Sequence, residues 1–278
     1  MTPPPPSRIR VDWIWDGVGR ITAPNPGPKT LEGTNLYLIT RGSGWLIDAG
    51  PDDRDFLDEL AGLVDGRIAG ILLTHDHPDH AGGAGYLGSQ LDVPVWMSVK
   101  ASRDVFHSVP TARTLGPDQA FGAGGTLRAI EMPGHAWDHV CYWLEPDRLL
   151  FAGDNILGRG TTLIALPEGD MTAYMETLRK THALESVAIA PGHGPMIDNP
   201  EAKIDEYVQH RRLRERDVLG ALIQVDTADE IVDLVYEVND PAVRALAVFS
   251  VGAQLAKLER ERKIVKLDDG SYRVRADS

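Results

Sequence analysis

The apolar stretch IAGILLT (68–74) runs straight into HDHPDH (75–80). A buried strand that ends in three imidazoles and two carboxylates constrains the fold. If even partly buried without partners, the cluster costs desolvation and like-charge repulsion. A bound dication reverses that sign, because it neutralises the acids and accepts lone pairs from the rings. The same arrangement recurs along the chain. His135 stands in MPGHAWDH just after the strand-like TLRAIEM (126–132), Asp154 ends RLLFAGD (148–154), and His193 follows SVAIAP in the run 186–194. Strand ends followed by Gly- or Pro-containing loops are where an α/β layer fold presents its site. His75, His77, Asp79, His80, His135, Asp154 and His193 are therefore expected to converge at one edge.

The rest of the first two hundred residues fits such a fold. NLYLIT (35–40) and GWLIDAG (44–50) read as a hairpin joined by RGSG. DDRDFLDELAGLV (52–64) reads as a helix with acids in its first turn. HVCYWLE (139–145) is a further strand, and MTAYMETLRKTHAL (171–184) a further helix. Strands alternating with helices predict an α/β layered architecture. Beyond Pro200 the pattern changes. Helices are expected over 201–224, 227–237 (Thr227 as N-cap) and 241–262. IVKLDDGSYRV (264–274) then reads as a hairpin turning at Asp-Gly. Three helices and a hairpin are the element order of a winged helix. The expected division is a flexible tail and first strand at 1–20, a catalytic domain at 21–200 and a winged-helix-like domain at 201–278.

Composition narrows the setting. No apolar run approaches the ~20 residues of a membrane span. MTPPPPSRIR lacks the apolar region of a secretory signal and reads as an extended, disordered tail. The single cysteine, Cys141, cannot form an intrachain disulfide and reads as a core thiol, so a cytoplasmic protein is expected. The formal net charge of −13 makes a poor general nucleic-acid binder, since phosphate binding rests on Lys and Arg.

The spacing within the cluster has a chemical sense. In an extended segment His75 and His77 point the same way and can share one metal. Pro78 favours a turn into a helix, so Asp79 and His80 point elsewhere and can hold a second. A nitrogen-rich set with a shared carboxylate, which fits Asp154, favours Zn²⁺; Mn²⁺ and Fe²⁺ remain compatible. Two ions ~3.5–4 Å apart would clamp a bridging hydroxide for a hydrolytic displacement.

These residues carry a resemblance. HDHPDH is similar to the H-x-H-x-D-H motif of the metallo-β-lactamase superfamily, and His135, Asp154 and His193 fall in that family's order. NPGPKTLEGTNLYLI, PGHAWDHVCYWLE, FAGDNILGRGTT and APGHGP followed by KIDEYVQHRRLRER resemble its lactamase-beta-2-like branch. The resemblance implies an αβ/βα sandwich with a two-zinc site at its edge. It implies His75, His77 and His135 on the first zinc, Asp79, His80 and His193 on the second, and Asp154 bridging. It also implies a ligand-orienting role for Asp48 and a hydroxide-steering role for Asp79.

Other residues read more plainly. His139 is expected to be structural or to orient a ligand. His107, His182 and His210 are expected to be ordinary surface or helix residues, and Asp76 and Asp138 solvated loop acids. RRLRER (211–216) could touch phosphates or be a solvated helix face. The function expected is a binuclear zinc hydrolase. Single-stranded RNA cleavage is an activity associated with the branch; the winged helix favours it and the charge opposes it. Hydrolysis of a small thioester, ester or lactone is the alternative. β-Lactam hydrolysis, glyoxalase-II-type chemistry and a non-catalytic binding protein are weaker readings, the last because the ligand set is complete. The sequence leaves the oligomeric state open.

Overall fold

Short runs of β-branched, aromatic and leucine residues build two sheets. In the first, β1 (Val11–Trp15), β2 (Val18–Thr22), β3 (Asn35–Ile39) and β4 (Trp45–Ile47) form an antiparallel meander. β5 (Ile71–Leu72), β6 (Val95–Met97) and β7 (Ala112–Thr114) extend it in parallel, giving seven strands in sequence order. The parallel strands need crossovers. These are supplied by α1 (Arg54–Val64), α2 (Pro78–Ala81) with α3 (Ala84–Leu91), and α4 (Arg103–Ser108). The second sheet runs β12 (Ala188–Pro191), β11 (Leu149–Gly153), β10 (Val140–Leu144), β9 (Leu127–Glu131), β8 (Ala120–Phe121). This computed structural model describes residues 9–116, 118–122, 126–236 and 240–275; the proline-rich tail expected at the N-terminus lies largely outside them.

Two compact units emerge. The first comprises the two sheets: residues 1–132, 138–160 and 186–198. Two apolar layers hold it. One face of the seven-stranded sheet, through Leu36, Leu38, Leu46 and Ile71, packs on Phe56, Leu57, Leu60 and Val64 of α1 and Leu87 of α3. Its other face, through Tyr37, Ile47 and Leu72, packs on Tyr142, Leu149 and Phe151 of the second sheet. The Tyr37 and Phe151 rings meet at 5.2 Å with a tilt of 58°. β3 and β4 therefore bury every residue and show no polar alternation. Cys141 is buried in β10, where burial pushes its thiol pKa up, and Sγ contacts the Ala152 carbonyl.

The second unit comprises residues 133–137, 161–185 and 199–278. It holds α5 (Met171–Ala183), α6 (Pro200–Ala221), α7 (Ala228–Val235), α8 (Pro241–Arg260) and the hairpin β13 (Ile264–Lys266), β14 (Tyr272–Val274). Val218, Ile231, Val232, Val251, Leu255, Leu258 and Ile264 form one apolar cluster that ties the three C-terminal helices to the hairpin. Thr227 caps α7 reciprocally with Glu230, a capping box.

The expected elements appear in the expected order, but lengths differ, and α3, β6, α4, β7 and β8 occupy 84–121, where the sequence pattern marks no element. The strand expected over 68–74 is regular only at Ile71–Leu72, and the helix expected over 201–224 ends at Ala221. Among the described residues no helix is long and apolar enough to cross a membrane.

Phe151 sits fully buried between the sheets. Phe151→Ala is expected to cost about 3–5 kcal/mol of unfolding free energy, read by urea denaturation. A loss below about 1 kcal/mol would mean that the two sheets do not share that layer.

Candidate metal centre

Strand ends of the first unit and the start of α2 bring six of the expected ligands together. His75 and His77 leave β5 on extended backbone, and Pro78 at the first helical position turns the chain so that Asp79 and His80 enter α2. Asp154 follows β11 and His193 follows β12. His75 Nε2 and His77 Nδ1 approach to 2.9 Å. His75, His80 and Asp154 form one group, and Asp79, His80 and His193 another, whose ligand atoms lie within 4.8 Å of one another.

A buried carboxylate sets the ring orientations. Asp48, 1% exposed, follows β4 with φ 62°. It accepts hydrogen bonds from the Thr74 backbone N–H (2.7 Å), the Thr74 hydroxyl (3.0 Å) and His80 Nδ1 (2.8 Å). Thr74 Oγ1 also lies 3.0 Å from His75 Nδ1. With its proton on Asp48, that hydroxyl accepts from His75, so both rings carry their hydrogen on Nδ1 and turn a lone pair on Nε2 inward. The Gly33 carbonyl does the same for His193 Nδ1 at 3.2 Å.

The inward atoms form a compact cage of acceptors. His80 Nε2 lies 3.3 Å from His193 Nε2, from Asp79 Oδ2 and from Asp154 Oδ1. His193 Nε2 lies 3.2 Å from Asp79 Oδ2 and 3.3 Å from Asp154 Oδ1. Four ligands placed tetrahedrally at zinc–nitrogen and zinc–oxygen bond lengths are separated by roughly 3.3–3.4 Å. The donor set fits zinc in chemistry and in spacing.

The field of the site points the same way. Burial opposes protonation of His80, yet Asp48, Asp154 and Asp79 outweigh it and hold its pKa well above the ordinary imidazole value. His193 is raised to about 9, with Asp154 and Asp79 overcoming burial. Burial would raise the carboxyls of Asp79 and Asp154, but His80 and His193 hold both low. His75 is different: burial, then His80 and His77, hold it well below its usual value.

Several supporting residues escaped the sequence reading. Asn25 Nδ2 donates to Thr34 Oγ1 (3.0 Å), so the Thr34 proton goes to Asp79 Oδ2, also at 3.0 Å. Asn35 Nδ2 donates to the carbonyls of Pro191 and Gly194, and the Tyr37 hydroxyl to that of Pro191, lashing the His193 loop to β3. A Cβ on Gly192 would stand 2.5 Å from Asp154 Oδ1 and 2.8 Å from His80 Cε1, so only glycine lets this backbone pass the cage. Asn25, Thr34, Asn35 and Tyr37 all lie in NPGPKTLEGTNLYLI, but threonine and asparagine near a strand carry no ligand signature.

His135 belongs to the second unit, where its Nδ1 donates to the Leu163 carbonyl at 2.8 Å. His139 is buried, and its Nε2 accepts the Asp154 backbone N–H at 3.1 Å. Asp76 is half-buried and accepts the Ser102 N–H. Asp138 corrects the expectation of a solvated acid: it is 5% exposed, because the chain has already turned inward toward β10. His107 and His182 are exposed and His210 is half-buried.

Comparison with known proteins adds relatives. Residues 30–193 match the family model described as Metallo-beta-lactamase superfamily, and 227–273 match the Beta-lactamase associated winged helix domain. A Caenorhabditis elegans protein named Beta-lactamase-like protein 2 homolog is 36% identical, covering 89% of this chain and 86% of its own. The atrochrysone carboxyl ACP thioesterase of Aspergillus fumigatus is 32% identical, covering 90% and 78%. The crystal structure of a Beta-lactamase domain protein from Burkholderia ambifaria superposes with a TM-score of 0.82 at 22% identity, covering 95% and 93%.

The raised His193 pKa fixes a pH dependence. Without metal its stabilising contribution is complete below the unfolded value of 6.5 and is lost as pH rises through about 9. Metal binding must displace that proton, so zinc affinity is expected to rise with pH over the same window, with proton release visible by calorimetry in buffers of different ionisation enthalpy. Zinc binding without proton release at pH 7 would overturn the assignment of His80 and His193 as ligands. Gly192→Ala is expected to weaken zinc binding by about tenfold or more while the fold is kept; unchanged affinity by chelator competition would mean that Asp154 and His80 are not ligands.

Proposed function

Because the chain belongs to the metallo-β-lactamase superfamily of hydrolases, we propose that it is a dinuclear zinc hydrolase acting on small acyl thioesters. The observation that carries the metal reading is the cage of four acceptor atoms from His80, His193, Asp79 and Asp154 at 3.2–3.3 Å spacings. In this reading Asp79, His80 and His193 would hold one ion, His75, His77 and His135 would hold the other, and Asp154 would serve both. Bound there, the ions would supply Lewis acidity and lower the pKa of water to about 7.

The chain's own residues do the rest. Asp48 keeps the His75 and His80 lone pairs aimed inward. Thr34 holds one oxygen of Asp79, and His80 and His193 keep that carboxylate ionised. Asp79 can therefore accept a hydrogen bond from the attacking water and orient it toward an acyl carbon. His139 fixes the backbone at Asp154.

Support for a thioester comes from the Aspergillus fumigatus relative, whose name gives that activity. The net charge of −13 disfavours a polyanionic substrate. The second reading is cleavage of single-stranded RNA, which the winged-helix match favours. Some basic residues of that winged helix are already engaged: Lys263 is tied to Glu215 at 2.7 Å and to Glu261 at 2.9 Å, and Arg244 to Asp229 and Asp233 at 2.9 Å each.

The test offers the zinc-loaded protein a short-chain acyl thioester, read by thiol release, and a labelled single-stranded RNA. Asp79→Ala, prepared identically, controls for contaminants. Thiol release that falls by about 100-fold or more in the variant is expected. Asp79-dependent RNA cleavage without thiol release would transfer the assignment to the nuclease reading. Asp154→Ala is expected to abolish turnover; full activity at full metal content would remove it from the ligand set.

A further inference from the structure

Arg211 opens the run RRLRER, yet it is only 4% exposed. It is therefore unavailable to a phosphate backbone, and it has a specific engagement. From α6 its guanidinium donates to the Thr162 carbonyl and lies over the Tyr174 ring, 5.3 Å from the centroid. The Thr162 hydroxyl stands 3.2 Å from His135 Nδ1, and the next carbonyl, Leu163, accepts from the same nitrogen at 2.8 Å. A carbonyl only accepts, so this contact places the His135 hydrogen on Nδ1 and makes Nε2 the lone-pair nitrogen.

The loop that carries His135 is held throughout by the segment Arg211 grips. Thr177 Oγ1 donates to the Pro133 carbonyl, the Asp170 N–H to the Gly134 carbonyl, and Trp137 Nε1 to the Pro167 carbonyl. A Cβ on Gly134 would stand 2.4 Å from Tyr174 Cα, so this loop lies directly on the start of α5. At the far end of the segment, Arg260 of α8 makes a two-pronged pair with Asp170 at 3.0 and 2.6 Å. Asp170 in turn caps α5 through the Ala173 N–H. Two arginines from the C-terminal helices thus clamp residues 162–170, and residues 162–177 hold the loop and the ring.

We propose that Arg211 is a positioning residue for His135, so that α6 sets the tautomer and direction of one metal ligand. The inference rests on the dinuclear reading above for the ligand role of His135.

The test has two readouts. The first is zinc stoichiometry and affinity by chelator competition on the full chain. Wild type is expected to bind two equivalents. Arg211→Met is expected to keep its far-UV circular dichroism and one tight equivalent, with the other weakened about tenfold or more, as for loss of other ligand-orienting contacts. His135→Ala should weaken the same equivalent. The second readout is the ¹⁵N spectrum of the His135 ring in metal-free protein. It should report a fixed Nδ1–H tautomer in wild type and a tautomer mixture in the variant. Where Arg211→Met does not fold, Arg211→Lys, which keeps the charge and loses the planar fork, is read in its place and is expected to shift both readouts in the same direction. A folded Arg211 variant with unchanged tautomer and unchanged zinc affinities overturns the proposal. A wild type that binds fewer than two equivalents defeats the dinuclear reading instead, and the tautomer readout still decides the role of Arg211.

Discussion

The carboxylate of Asp48 is the contact on which the site depends. It is buried at the end of β4 and satisfied by Thr74 and His80. Through the Thr74 hydroxyl it also governs His75. A single acid thereby fixes the ring of one histidine in each proposed metal position, which is what a ligand-orienting group must do for a metal that needs neutral imidazole. Its left-handed backbone, φ 62°, is an uncommon state for a residue with a side chain, in which aspartate is enriched. Local backbone preference is subordinated here to the site, as happens where surrounding structure over-determines a conformation.

The acceptor cage explains the shape of its surroundings. Lone pairs and carboxylate oxygens at 3.2–3.3 Å repel unless a proton or a cation sits among them. In the metal-free protein the raised pKa values of His80 and His193 mean that protons fill that role. Holding such a cage closed takes rigid supports from several directions. β3 supplies Asn35 and Tyr37 to the His193 loop, His139 holds the Asp154 backbone, and Gly192 permits close approach. These supports rest on the two apolar layers that fix the strand ends.

Much of this was legible in the sequence because its signals are strong and local. Histidines and aspartates at strand ends, Pro78 after His77, and the Asp-Gly hairpin near the C-terminus each have one economical physical reading. The order of β3 to β5 and of the elements from β9 onward follows from apolar periodicity, whereas the short elements α3, α4 and β6 to β8 between them carry no run long enough to mark them. What was not legible are properties of long-range contact. That Asn35 reaches residues 191 and 194, or that Thr34 reaches Asp79, cannot be read from neighbours in the chain. Asp138 reads as a solvated acid because nothing local marks it as buried. Arg211 sits in a charged run that looks solvent-facing by composition, and only the fold shows that its helix turns it inward.

The two proposed metal positions differ in a way that follows from their surroundings. His75 lies in a buried group of imidazoles and is held well below its ordinary pKa, so it is neutral before any metal arrives. His80 and His193 face carboxylates and are held above theirs, so a metal there must first displace protons. Carboxylates attract a dication more strongly than imidazoles do, but in this site they also attract the competing proton. His75 faces no such competition, so what its ring contributes depends on how well it is aimed. In the dinuclear reading, ring orientation is thus the controlling variable at His75 and proton competition at His80 and His193. That difference gives the Asp48–Thr74–His75 and Arg211–Thr162–His135 arrangements, which both act on ring direction, more leverage than their distance from the reacting atoms suggests.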